Sequence, residues 1–219
     1  MRRAIVVTLF VLVTALGRAP AGAQPAAPAP VAVPRSDGAP VITDGLFSPG
    51  EWDAALRVVV ADAVTLQLKE HRGVVFVGVR GRVQAGIGPS ELFLAAPGGP
   101  IHRLHVSAQL AEAVLRAAGP EPPPRFGLTT DWYANELRRD MELAERLEKE
   151  GKAPIDVILA TTYPTDGIEF AIRRSKLQGN VWLLRLSASA FVDGRPGMIV
   201  FPPAAAERDT GGWLELRFN

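Results

Sequence analysis

The chain has no cysteine. Disulfides, thiolate catalysis and cysteine-ligated metals are therefore excluded, as is a lipid anchor on an N-terminal cysteine. Charge of one sign is missing too. The 24 Lys and Arg are matched by 23 Asp and Glu, for a formal net charge of +1. The basic field that nucleic-acid binding requires is absent, so nucleic acid is not an expected partner. Histidine is scarce at three residues, and His102 and His105 stand three apart. On a strand that spacing sends them to opposite faces, a poor arrangement for a metal, and without CxxCH a haem has no attachment motif. No Gly-x-Ser-x-Gly, HExxH or phosphate-cradling loop occurs, so no enzymatic activity is expected. No apolar run reaches the about 20 residues of a membrane-spanning helix.

What is present is apolar content, at 47% of residues, with 21 Gly and 19 Pro. That is enough for a sizeable core in one domain. Residues 1–23 have the pattern of a signal peptide. Arg2 and Arg3 precede the apolar stretch Ala4 to Leu16, and Ala21-Gly22-Ala23 offers a small-residue cleavage site. The protein is expected to be exported, periplasmic or extracellular, with no membrane span after cleavage. Cleavage removes three arginines and no acids, taking the formal charge from +1 to −2. Residues 24–40 carry Pro25, Pro28, Pro30, Pro34 and Pro40 and read as an extended linker. The domain proper is expected over 41–219.

Period-two patterns dominate that domain. Val64, Leu66 and Leu68 alternate with Thr65, Gln67 and Lys69, a strand with one wet face. Leu56 to Ala61 is β-branched. Val74 to Arg80 is apolar on both faces and belongs mid-sheet, with Gly78 marking a bulge or a close backbone. Glu91 to Ala96 and Ile101 to Val106 flank a Pro-Gly-Gly-Pro turn. Ile168, Phe170 and Ile172 form another inward set. So do Trp182, Leu184, Leu186, Ala188 and Ala190, and Leu214, Leu216 and Phe218. The alanines of 108–118 tilt that segment towards helix. One helix is predicted over Trp132 to Glu150, capped by Thr130 or Asp131 and ended by Gly151. Its stripe is Leu137, Met141, Ala144 and Leu147. The expected fold is all-β: an antiparallel, jelly-roll-like β-sandwich with one inserted α-helix.

Two stretches carry a resemblance. Val41-Ile42-Thr43-Asp44-Gly45 with Glu51-Trp52-Asp53-Ala54-Ala55 comes first, and Gly167 to Leu177, reading Glu-Phe-x-Ile-x-x-Ser-x-Leu from Glu169, comes later. In that order they resemble the family 9 carbohydrate-binding modules and the wider DOMON-like group. The resemblance implies a β-sandwich that binds sugars, or haem in a redox branch, with aromatic rings clamping the saccharide and calcium bracing the fold.

Saccharides stack their apolar C–H faces on aromatic rings, and the chain has four tryptophans and two tyrosines. Trp182 reads as core and Trp52 as a plug at the sheet edge. Trp132 and Tyr133, at the start of the predicted helix, and Trp213 with Arg217, on the outer face of the last strand, are the candidate ligand-binding residues. Each aromatic also has a plain packing role. Asp44 and Glu51 offer oxygens to calcium, while an Asp in an Asp-Gly turn equally bonds its own backbone. The expected function is a non-catalytic binding module for carbohydrate or an envelope polymer. The alternative is a structural or protein-interaction domain with no small-molecule site.

Overall fold

A computed structural model describes residues 28–61, 64–81, 87–116, 118–127, 129–162, 165–192, 195–203 and 205–219. The signal-like segment lies outside them. The strands, in chain order, are β1 (Val31–Ala32), β2 (Leu56–Ala61), β3 (Val64–His71), β4 (Val74–Gly81), β5 (Ile87–Ala95), β6 (Ile101–Val106), β7 (Leu110–Leu115), β8 (Arg125–Phe126) and β9 (Trp132–Ala134). Helices α1 (Met141–Lys149) and α2 (Pro154–Thr161) follow. Then come β10 (Gly167–Arg173), a 3-10 turn at Arg174–Lys176, β11 (Val181–Val192), β12 (Arg195–Phe201) and β13 (Leu214–Arg217). The protein is all-β with two sheets. One is ordered β1-β13-β11-β5-β6-β7-β8, with β12 also on β11. The other is β2-β3-β4-β10-β9. No helix among the described residues is long and apolar enough to cross a membrane.

The two sheets share one core, built from the predicted inward sets. Leu66, Leu68, Val77 and Phe170 of the smaller sheet cluster with Leu92, Leu104, Trp182 and Leu216 of the larger. β4, apolar on both faces, is the central strand of its sheet. Gly78 answers to packing rather than a bulge. A Cβ there would stand 2.7 Å from the Phe47 ring and 2.9 Å from the Trp52 ring.

Several expectations need correction. Residues 132–134 are strand, pairing with β10 at Ile172 and Phe170, because the inward phase of Trp132 and Ala134 buries them in the shared core. The helix begins only at Met141, where the Asp140 carboxylate accepts from Leu143 N at 2.9 Å, so Asp140 and not Thr130 or Asp131 is the cap. Gly151 does close it: Gly151 N donates to Glu148 O and Lys152 N to Leu147 O, a Schellman pattern. Met141, placed in the apolar stripe, is 68% exposed. A second helix, α2, folds back to complete the β9–β10 connection, with Asp140 N donating to Thr161 O.

Residues 110–115 are strand β7 rather than helix. Their alanines pack at intervals of two, and sheet pairing with β6 overrides helix propensity. The Pro/Ala stretch is not all linker. Val31 and Ala32 pair in parallel with β13, and Ser36 N then donates to Glu70 O while Pro34 O accepts from Glu70 N. That strap ties an edge of one sheet to the other. Finally, the expected wet face of β3 is covered: Gln67 and Lys69 are buried beneath residues 36–55, whose Val41, Phe47 and Trp52 cluster with Phe76.

Candidate functional site

The candidate residues named from sequence do not converge. Trp132 and Trp213 are buried, and neither ring offers a face to a saccharide. Trp213 packs edge-on against Phe93, clusters with Ala205 and donates its indole N–H to Ala206 O at 2.8 Å. Arg217 lies exposed on the rim, bonded to Glu215 at 2.7 Å. Tyr133, 38% exposed, faces the opposite side of its strand from Trp132. The outward phase of 213, 215 and 217 was legible; the packing of Ala205 and Ala206 on Trp213 was not.

Trp132 does belong to a polar cluster, through its nitrogen. On the core-facing side of β6 and β7, His102 and Glu112 take the positions of the apolar side chains around them. Glu112 Oε1 accepts from His102 Nδ1 and from Lys176 Nζ, both at 2.8 Å, and Oε2 accepts from Trp132 Nε1 at 2.8 Å. Burial would push the Glu112 carboxyl up. The bonds from His102, Lys176 and Trp132, together with the Lys176 charge, outweigh it and hold the group at about 2. The carboxylate is thus ionised, which places the His102 proton on Nδ1 and leaves Nε2 as the ring's remaining polar atom. Lys176 is delivered by the 3-10 turn that follows β10, and buried Leu177 anchors the next residue.

His102 and Lys176 line a cleft of about 770 Å³ between the 96–100 turn and residues 177–181. The second wall is braced by Arg174. Its guanidinium stacks 4.2 Å from the centroid of the Phe218 ring and donates to Gly179 O and to Asn180 Oδ1. The cleft therefore has a rigid wall and two polar side chains fixed from behind by one carboxylate.

The two resemblance stretches meet elsewhere, on the outer face of the smaller sheet. Glu169, fully buried, accepts from Asp44 N at 3.1 Å, Gly45 N at 2.8 Å and Trp52 Nε1 at 2.8 Å. Its own N–H donates to Asn135 Oδ1 at 2.7 Å. Burial pushes its carboxyl up, and the bonds from Gly45 and Trp52 pull back against that. Asp44 and Glu51 spend their oxygens on backbone N–H groups: Asp44 on Leu46, Glu51 on Ile42 and Ser48. Among the described residues no group of three His, Asp or Glu is arranged to hold a metal ion. The histidines take opposite faces of β6, His105 pairing outward with Glu91 at 2.7 Å, and Met198 is exposed.

No family model, curated protein or solved structure matches the chain. The signal for the cleft was present in sequence as a phase: His102 falls in step with Leu104 and Val106, and Glu112 in step with Leu110. The alanine content of 108–118, which left helix and strand open and tilted towards helix, hid the second half of that pair.

Proposed function

We propose that this protein is an exported, non-catalytic binding module whose ligand, a carbohydrate or envelope polymer, seats in the cleft lined by His102 and Lys176. The observation that carries this reading is preorganisation: both side chains are held by Glu112 before any ligand arrives. Gln178 and Asn180, on the cleft wall, add planar amides suited to sugar hydroxyls. The Glu112 carboxylate supports the non-catalytic part. The one carboxylate behind the cleft is held at about 2, far from the range in which a general acid or base works at neutral pH, and its oxygens serve three donors. The sugar class rests on the resemblance of the 41–55 and 167–177 stretches, which the Glu169 contacts support as one structural unit.

The test is a titration of soluble glycans against the full chain, with and without calcium. Saturable binding is expected, weakened about tenfold by His102→Ala or Gln178→Ala and unchanged by Tyr133→Ala or Arg217→Ala. A folded chain that binds no glycan, or whose binding ignores both cleft substitutions, would refute the site. The interaction-domain alternative would then draw on Val114 and Phe126, exposed apolar side chains at the β7–β8 edge of the larger sheet.

A further inference from the structure

Lys176 and Asn180 present donors to the cleft. No carboxylate lines it. Lys176, its side chain only 4% exposed, has one acceptor among the described residues, Glu112, so two of its three ammonium protons lack one there. Asn180 gives its oxygen to Arg174, which leaves its NH₂ as the end still free to bond. Lys176 is balanced by Glu112, and Arg174, directly behind the 178–180 turn, bonds neutral oxygens there with the Glu70 carboxylate as its charged neighbour.

Resting on the reading of the cleft as a saccharide site, we propose that the saccharide it takes is acidic, with a uronate-type carboxylate received by Lys176 and the Asn180 amide. A carboxylate supplies the acceptors these donors lack, and a charge-assisted bond is stronger than one to a neutral hydroxyl.

Tri-galacturonate, its fully methyl-esterified form and a neutral glucan trimer are titrated against the full chain by calorimetry. The acid is expected to bind at least tenfold more tightly than the ester, with the preference shrinking as salt rises. Lys176→Met should abolish the preference for acid over ester. Asn180→Ala, at an exposed turn position, should reduce the preference severalfold in a chain that melts as wild type does, which covers the case in which Lys176→Met fails to fold. Equal affinity for acid and ester, or tighter binding of the glucan, overturns the acidic ligand and leaves the binding module standing. Binding of none of the three overturns both.

Discussion

Replacing Glu112 by glutamine isolates one titrating group at the heart of the candidate site. In the folded chain its carboxyl is held at about 2 against an ordinary value of 4.5. A carboxyl lowered by folding stabilises the protein above its unfolded pKa, and that contribution is lost as pH falls towards the folded one. The displacement corresponds to about 3 kcal/mol at neutral pH, of which about 2 kcal/mol is gone by pH 3. Glutamine does not titrate, so E112Q lacks this dependence. It also carries a fixed cost of about 1–3 kcal/mol, because its NH₂ must face one of the three donors now bonded to the carboxylate. Urea unfolding of both chains at pH 7, 5 and 3 reads the difference directly. The gap between wild type and E112Q should narrow by about 2 kcal/mol from pH 7 to pH 3, with nearly all of the change below pH 5. A gap that stays constant to within about 0.5 kcal/mol would refute the picture of a carboxylate held ionised by His102, Lys176 and Trp132.

Other substitutions probe the remaining structure. Glu169→Gln should cost about 2–4 kcal/mol at pH 7, since an amide serving Asp44 and Gly45 turns its NH₂ towards Trp52 Nε1. In a double-mutant cycle with Trp52→Phe the two costs should fall short of additive by about 1 kcal/mol or more, and strict additivity in denaturant melts would dismiss the bond. Gly167→Ala places a Cβ 2.0 Å from Val79 O, a backbone atom in the neighbouring strand, so the β4–β10 pairing must shift. Thermal melting should show a larger loss than for Gly78→Ala, whose obstacles are the Phe47 and Trp52 rings.

Much of the fold was legible because it is a matter of period. Wherever a strand buries one face in a shared core, alternation names the buried set without knowledge of the partner strand. The sets in β10, β11 and β13 were read correctly for that reason. Composition misled where two periods compete. The alanines of 110–115 favour helix in isolation, and Trp132 followed by a polar, acid-rich run looked like a helix start.

What the sequence determined alone was the all-β class, the inward residues and the absence of thiol chemistry, each a property of residue type and local spacing. What only the tertiary structure decided was coverage and convergence. The 36–55 segment hides the β3 face that alternation called wet, and Ala205 and Ala206 pack on Trp213. Glu112, His102, Lys176 and Trp132 come from four separate places in the chain and meet only when the edges of two sheets are brought together. Such meetings depend on contacts distant in sequence, on which local patterns carry no information.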